Sequence, residues 1–556
     1  MSIRARLKGL AAAGAVLGSM LLASCDAGGG RFMDYIGPTD PDKGPTATIS
    51  PAQSPGPDYG PGPAPTTGPA TTSAPTTISA PSGTELKISI AEAILMALEN
   101  NKSLIVDRFN TPITRTTEEV ARAAFDPLVT GQASWKYQRV PSGPRASFAN
   151  VQTTASQLGV SEFLPIGMTI ALQWNTFGTD PSSAVSDTNN FELSVTQSLL
   201  RGAGLDVNLA TLRQARLDTL SSQYELRGLA ESIVAKTEEA YWAYALAARQ
   251  VTIFEAAEQL AQQQLDETLQ RIKVGKLADT EAAAARAQLA LSHQSTITAR
   301  NAMLVARIAV LRLVSPPGSD IWQRQVVLTD APEAPGIFLE DVERHVQVAL
   351  RLRTDLNQAR LLVQRGELEI VKTSNGLLPR LDLFINLGKT GYADSFGRSF
   401  EELDGQGYMA QVGVSGDWSP INRSARALDT RAHLTRDQSM ASVDNLAQLV
   451  QVDVRAAYVV VINAREQIDA TAQTVKYQQV TYDAEVEKYR QGKSTSLLVA
   501  TAQQNLTSAQ ISHIQAIVAY LNGLVELYRL DGSLLIRRGI TAPGAKPVVL
   551  KGDTSY

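Results

Sequence analysis

The sequence predicts a mixed α and β fold with two internal repeats, each made of long helices and short strands. Three patterns support this prediction. Matching landmarks recur along the chain at constant spacings, and apolar residues recur at helical spacing over very long stretches. In the short segments between these helices, apolar and polar residues alternate, as they do in strands.

The first 24 residues are predicted to be a signal peptide. Basic residues precede an apolar stretch at 10–22, which is too short to span a bilayer as a helix. The sequence Leu22-Ala23-Ser24-Cys25 then resembles the lipobox of bacterial lipoproteins. This predicts cleavage before Cys25 and a covalent lipid on its thiol, with no other cofactor. The alternative is an ordinary signal peptide that contains a chance cysteine.

Residues 25–86 are predicted to be a lipidated N-terminus followed by an extended tether, because Pro, Gly, Ser and Thr dominate this segment. Asp26 resembles a retention signal for the inner membrane in enteric bacteria, and its effect on sorting stays open. Cys25 is the only cysteine, so no internal disulfide is expected. The net charge of −4 is too small to indicate a nucleic-acid partner.

Two constant offsets define the repeats. ALENNKSL at 97–104 matches ALRLRTDL at 349–356, and Pro127 matches Pro379, both at an offset of 252 residues. Tyr241 matches Tyr458 and Gly275 matches Gly492, both at 217 residues, so the first repeat carries a 35-residue insertion. The predicted domains are a first repeat at 87–318, a linker at 319–338, a second repeat at 339–535 and a tail at 536–556.

Each repeat is expected to contain the same elements in the same order. The predicted helices are a first helix (88–125; 340–378), a very long helix (206–273; 424–490) and, after a glycine, a last helix (277–315; 495–531). The segments MTIALQWN, FELSVT and LDLFINL alternate apolar and polar residues, and Trp135, Trp174 and Trp418 lie in such segments. This alternation fits a transmembrane barrel or a soluble sheet packed on a core.

The helix lengths favour the barrel. A helix of about 67 residues is about 100 Å long, which no compact domain accommodates, and the flanking helices of about 38 residues span about half of that. The elements therefore form a rod of antiparallel helices with strands at one end. No apolar run beyond the signal peptide is long enough for a membrane helix, so a membrane crossing requires a closed barrel. At least four strands per chain are too few to close one, so the chain must oligomerise.

Several motifs together resemble the TolC family of outer-membrane efflux proteins, in its lipoprotein-anchored form. They are ISIAEAILMALENN (88–101), VTQSLLRGAGLDVN (195–208), RIKVGKLADTEAAAARAQL (271–289) and YRQGKSTSLLVATAQQNL (489–506). The resemblance covers about residues 88–535. It implies a homotrimer that shares a transmembrane β-barrel of twelve strands in the outer membrane and an α-helical coiled-coil tunnel across the periplasm. The implied partners are a periplasmic adaptor, an inner-membrane transporter and outer-membrane lipid.

The resemblance also implies functional residues. The two helix-turn-helix tips would dock the adaptor, through Val274, Gly275, Lys276, Gln491, Gly492 and Lys493. Family members carry acidic residues after the second tip glycine at the tunnel entrance, whereas this chain has Leu498 and Thr501 there and acids, Asp279 and Glu281, after the first. These four residues are the candidate entrance. Alternatively, the two acids complement the dipole of the helix that they begin.

The implied function is that of a passive export conduit in a tripartite efflux or type I secretion system, with most of the chain in the periplasm. The alternative is a tethered coiled-coil lipoprotein that spaces the layers of the envelope without conducting anything. No metal site or enzyme is expected, because the four histidines are scattered and no phosphate-binding glycine loop follows a strand. The insertion contains three strand-like runs, of which the first two could form one interrupted strand.

Overall fold

The computed structural model describes residues 86–141, 148–180, 187–275, 277–315, 322, 325–336 and 339–550. The signal peptide, Cys25, Asp26, the tether up to residue 85 and Lys276 lie outside these ranges, so the expectations for them stay predictions.

The first repeat begins with strand β1 (Leu86–Ile88) and helices α1 (Ile90–Asn100), α2 (Lys102–Asp107) and α3 (Asn110–Arg122). Four strands follow, β2 (Leu128–Pro141), β3 (Phe148–Leu164), β4 (Met168–Asp180) and β5 (Asp187–Ser198). The chain then forms the short helix α4 (Leu205–Asn208), the long helix α5 (Ala210–Lys273) and helix α6 (Thr280–Val314). With 64 residues, α5 is about 96 Å long.

The linker between the repeats contributes β6 (Val326–Leu328), which pairs in parallel with β1. The second repeat comprises α7 (Val342–Leu352), α8 (Thr354–Gly376), β7 (Arg380–Ala393), the short helix α9 (Phe396–Glu401) and β8 (Tyr408–Asp417). It ends with the long helix α10 (Arg423–Arg490), α11 (Ser496–Leu530) and the short α12 (Leu534–Arg537). The mixed fold with long helices is therefore confirmed.

The first helix of each repeat is interrupted, whereas single helices were expected at 88–125 and 340–378. The break in the first repeat lies at Asn101, whose extended backbone stops α1 and whose side chain accepts hydrogen bonds from the amides of Ser103 and Leu104 at 3.0 and 3.3 Å. This side-chain cap starts α2 directly. In the second repeat the break lies at Arg353, which is also extended, at the offset of 252 residues from Asn101. The interruption is therefore a feature of the repeat.

One antiparallel sheet contains six strands in the order β2–β3–β4–β5–β7–β8. The four strands per chain that the resemblance implied are therefore wrong, and so is the joining of the first two runs, because β3 lies between them. Trp418 follows β8 directly and is not part of it. Alternation is weak in β3, where Thr154 and Ser156 share a face with Leu158 and Val160. Pairing with β2 and β4 along its length stabilises this strand instead.

The core lies between the helices. Val234 of α5, Val450 and Val454 of α10 and Leu527 of α11 are fully buried in its main cluster. A second cluster surrounds Tyr241 and joins α5 to the β1–β6 pair. By length and composition alone, α10 contains one segment that could cross a membrane, with a mean hydropathy of 1.3, which the sequence analysis did not identify. Only 17% of that segment is buried in the single chain, where α10 packs along α8 and α11.

Candidate functional site

One face of the six-stranded sheet carries an apolar row that crosses every strand. In the observed register, each member of this row pairs directly with the next. The row consists of Val129, Val160, Leu172, Leu193, Leu387 and Ala410. Its five larger side chains are between 37% and 65% exposed, so no other part of the described chain covers them. An exposed apolar row is typical of a surface that a lipid bilayer or another protein covers.

The opposite face of the sheet is polar. A row of directly paired residues on that face, three positions from the apolar row on each strand, contains only amide and hydroxyl side chains on the first five strands. These residues are Gln132, Gln157, Asn175, Asn190 and Thr390. The sheet is thus apolar on one face and polar on the other, which is the alternation typical of strands between lipid and a water-filled lumen.

The short helix α9 closes the apolar face at the end of the sheet far from the long helices. Asn189 lies on this face and is fully buried beneath α9. Its side-chain amide donates to the Ser399 hydroxyl at 2.6 Å and accepts from the Trp174 indole at 3.2 Å. Phe400 packs edge-on against the rings of Trp174 and Phe191. An aromatic cluster at this level resembles the girdles that membrane strands place at the interface with water.

The first tip follows the end of α5. The amide of Val274 donates to the Gln270 carbonyl at 3.2 Å, and the amide of Gly275 donates to the Ile272 carbonyl at 2.9 Å. Gly275 adopts a φ of 72°, and no atom lies within 4 Å of the position that a Cβ would occupy. Glycine is favoured here because the left-handed conformation costs other residues energy. Val274 is largely exposed, and Lys276 lies outside the described residues.

The second tip repeats this geometry after α10. Gly492 adopts a φ of 73°, again with open space around its Cβ position. The amide of Lys493 donates to the Lys488 carbonyl at 2.8 Å, and the amide of Gly492 donates to the Tyr489 carbonyl at 3.0 Å, which is the pair of bonds that closes a Schellman turn. Gln491, Gly492 and Lys493 are all exposed. The two tips therefore present exposed glycines in the same left-handed conformation.

The two tips are also connected to each other, a feature that the sequence did not indicate. One Arg271 amino group, Nη1, donates to the Tyr489 carbonyl at 3.1 Å, and the guanidinium carbon lies 4.7 Å from the centre of the Tyr489 ring. The hydroxyls of Thr268 and Tyr489 lie 3.2 Å apart and are buried. Glu267 accepts a further hydrogen bond from Arg271 at 2.6 Å. These contacts hold the last turns of α5 and α10 side by side.

The four candidate entrance residues do not share one environment. Glu281 is half-buried, because its carboxylate accepts a hydrogen bond from the buried Ser496 hydroxyl of the other repeat. Asp279, Leu498 and Thr501 are exposed, and the Thr501 hydroxyl donates to the Leu497 carbonyl of its own helix at 2.9 Å. In a single chain, Glu281 connects the repeats while the other three face solvent. Their role at an entrance stays a prediction.

Buried charges in the middle of the helices were not anticipated either. Arg227 donates to Glu231 at 3.1 Å and to the Gly532 carbonyl at 3.2 Å, and both side chains are almost fully buried. Burial raises the pKa of Glu231 to about 7, against the opposing effect of Arg227. Burial likewise raises the pKa of Glu238, which pairs with Arg538. These pairs hold the C-terminal segment against α5.

The sequence matches a known protein family. The sequence profile of the outer membrane efflux protein family matches residues 93–315 and 345–533, which is well over half of the chain. A sequence search of curated proteins gave no match.

Solved structures of channels share the fold. The CusC structure superposes with a TM-score of 0.61 at 16% identity, covering 80% of this chain and 92% of that chain. The Campylobacter jejuni CmeC outer-membrane channel gives 0.59 at 16% identity, covering 80% and 86%. The Neisseria gonorrhoeae outer-membrane channel MtrE, in its open state, gives 0.57 at 16% identity, covering 80% and 89%. The chain belongs to the outer membrane efflux protein family, and its fold is the one that the solved outer-membrane channels share.

Proposed function

We propose that three copies of this chain form a passive export duct that crosses both the outer membrane and the periplasm. The apolar row on one face of the sheet, at one end of helices about 96 Å long, is the observation that carries this proposal. The sheets would close into a barrel in the membrane, and the helices would form a tunnel in the periplasm.

The sheet requires other copies to complete it. Six strands are fewer than the eight or so of the smallest membrane barrels, and a strand edge in lipid leaves backbone amides and carbonyls without partners. The long helix α10 has the same need, because Leu449, Val452 and Val459 are exposed along it. Neighbouring copies would cover these side chains and enclose a lumen.

The tips at the end of the helices suggest the protein partners of the channel. Gly275 and Gly492 are exposed and share the left-handed conformation, and the tips around them would dock a periplasmic adaptor. An inner-membrane transporter would supply the energy in a tripartite efflux or type I secretion system. Most of the chain would lie in the periplasm. A lipid on Cys25 would hold the N-terminus at the membrane during delivery, with the Pro-rich tether covering the distance to β1.

Native mass spectrometry of the protein extracted from its own membranes tests the assembly. We expect a trimer in which each chain begins at Cys25 and carries added acyl mass. The same preparation, inserted into a planar bilayer, should conduct ions. A monomer or dimer would contradict the trimeric barrel, and a trimer that does not conduct would favour the spacer lipoprotein instead.

A further inference from the structure

We propose that the trimeric barrel contains eighteen strands, six from each chain, and that β2 of one copy pairs with β8 of the next. This inference rests on the proposed trimeric channel and specifies its membrane wall. The partner at both sheet edges is a second copy of this chain. All six strands of each chain are then part of the wall.

The apolar row supports this assignment because it reaches both edges of the sheet. Val129 on the edge strand β2 pairs with Val160 on β3, and Val160 pairs with Leu172 on β4. At the other edge, Leu387 on β7 pairs with Ala410 on β8. Since all six strands share one apolar level, β2 and β3 lie at the same membrane depth as β5 and β7. Both edges are then in lipid, where their backbone groups need partners.

The turn between β3 and β4 packs closely against the segment that leads into α4. Gly167 in this turn has a φ of 86°, and a Cβ there would lie 2.2 Å from the Gly202 carbonyl oxygen. The Asn208 amide donates to the Pro165 carbonyl at 3.1 Å and to the Gly202 carbonyl at 2.9 Å. Asn208 ends α4, which leads into the long helix α5. These contacts therefore connect the hairpin of β3 and β4 to the base of the helical rod.

The strand directions allow the edges to join. The six strands alternate in direction, so β2 leads away from the helices and β8 leads back towards them. Copies placed side by side therefore bring β2 and β8 together as antiparallel neighbours. The edge strands contain 14 and 10 residues, and about 9–11 residues suffice to cross a bilayer.

The additional strands widen the barrel. With strands about 4.8 Å apart and tilted by about 40°, eighteen strands enclose a backbone cylinder of about 18 Å radius, against about 12 Å for twelve. Barrels of 16–18 strands leave an open aqueous channel.

Disulfide crosslinking in the full-length, membrane-inserted protein tests the pairing. Cysteine pairs are placed on the polar face, where an aqueous oxidant reaches them, and each pair joins one position of the first set to one of the second. The first set is Thr130→Cys, Gln132→Cys and Ser134→Cys, and the second is Met409→Cys, Gln411→Cys and Ser415→Cys. To test the alternative that β4, and not β2, meets β8 of the next copy, Gln173→Cys and Asn175→Cys on β4 replace the first set. Variants with only one of the introduced cysteines show whether a crosslink involves the native Cys25 instead.

In an eighteen-stranded barrel, at least one pair from β2 and β8 gives covalent dimers and trimers, whereas pairs from β4 and β8 give none. Within one chain the edges are about 24 Å apart, so any such product joins two copies. Crosslinks from β4 but not from β2 would overturn the eighteen strands and leave the trimeric channel standing. A trimer by native mass spectrometry that gives neither crosslink would also overturn the pairing. A monomer would remove the proposed function as well.

A pair of adjacent residues on β3 provides a second test. Leu158 lies on the apolar face and Gln157 on the polar face, so Leu158→Lys should lose the assembled trimer while Gln157→Lys keeps it. A trimer that tolerates both lysines would show that β3 lies outside the membrane wall and would overturn the proposal.

Discussion

Arg271 connects to Tyr489 across 218 residues of sequence, with one hydrogen bond of 3.1 Å to the backbone carbonyl and the guanidinium stacked over the ring at 4.7 Å. Arg271 lies two residues before the end of α5, and Tyr489 lies one residue before the end of α10. The contact therefore joins the two repeats directly behind the tips. We expect it to limit how far the ends of the two long helices separate.

Replacing Arg271 with alanine should loosen the tips. A hydrogen bond from a charged group and a stacked guanidinium together contribute on the order of 1–2 kcal/mol, which corresponds to roughly a tenfold change in an opening equilibrium. Hydrogen exchange of the trimer, followed by mass spectrometry, should show faster exchange in the last two turns of α5 and α10.

The control for this change is Arg300→Ala. Arg300 also bonds across two helices, to Glu255 at 2.7 Å, but this pair is exposed and lies far from the tips along α6. Exchange at the tips should be the same in this variant as in the parent protein. If Arg271→Ala leaves exchange at the tips unchanged, the contact does not limit their separation.

The long helices and the glycine tips could be predicted because their signals are local. Apolar spacing gave 206–273 and 424–490, and the structure has α5 at Ala210–Lys273 and α10 at Arg423–Arg490. The φ values of Gly275 and Gly492 fit the breaks expected there. The offset of 217 residues also indicated that the two tips are equivalent, because Gly275 and Gly492 lie equally far after the matched tyrosines Tyr241 and Tyr458.

Other features depend on contacts that a local pattern does not report. Strand β3 has weak alternation, and its neighbours on both sides determine its conformation. The contacts of Arg271 with Tyr489 and of Glu281 with Ser496 join residues more than 200 positions apart. Offsets between repeats indicate which elements correspond, but they do not indicate which side chains meet.

Tyr241 should anchor the β1–β6 pair to α5. Its buried hydroxyl lies 3.2 Å from both the Ile88 carbonyl and the Asp330 carboxylate, and burial raises its pKa to about 12, so it remains a hydrogen-bond donor. Tyr241→Phe should lower the free energy of unfolding by about 1–2 kcal/mol, because buried groups lose a partner. Thermal dissociation of the trimer at fixed protein concentration measures this effect.

The matched control is Tyr458→Phe at the equivalent position of the second repeat. The Tyr458 hydroxyl forms no hydrogen bond among the residues that the structure describes, while its ring packs against the main core cluster and lies 6.2 Å from the His345 ring. This variant should behave like the parent. Equal losses in the two variants would mean that the aromatic ring, and not the Tyr241 hydroxyl, provides the stability.

Glu231 should make the stability of the channel depend on pH. Burial raises its pKa from 4.5 to about 7, so between these values the folded protein binds a proton that the unfolded chain has lost. The stabilisation that comes from this bound proton is therefore fully present below about pH 4.5 and is lost as the pH rises through about 7. Between pH 4.5 and 8, the free energy of unfolding of the parent should fall by at most about 3 kcal/mol relative to that of Glu231→Gln.

Thermal dissociation of both proteins across this pH range provides the measurement. Glu225→Gln is the control, because Glu225 is exposed on the same helix and its replacement removes the same charge. The pH dependence should be reduced in Glu231→Gln and retained in Glu225→Gln. A pH profile of Glu231→Gln that parallels the parent would show that other groups cause the dependence.

The tips themselves should be required for export. Both glycines have open space around the Cβ position, so Gly275→Glu and Gly492→Glu add bulk and charge to the exposed loops, and the Cβ atom itself meets no other residue. We expect the double variant to assemble as a trimer but to lose export, because an adaptor could no longer pack closely on the loops. Deletion of the gene in the native host first shows to which toxic compounds the cells become sensitive. Export by each variant is then measured as resistance to those compounds.

The control separates bulk from backbone strain. Gly275→Ala with Gly492→Ala imposes the same positive φ on a residue that has a Cβ, at a cost of about 1–2 kcal/mol per position, but it adds little volume. This variant should keep most of the export. If both double variants lose export equally, the conformation of the turn matters and the exposed surface does not. If the glutamate variant exports normally as a trimer, the tips are not the docking surface.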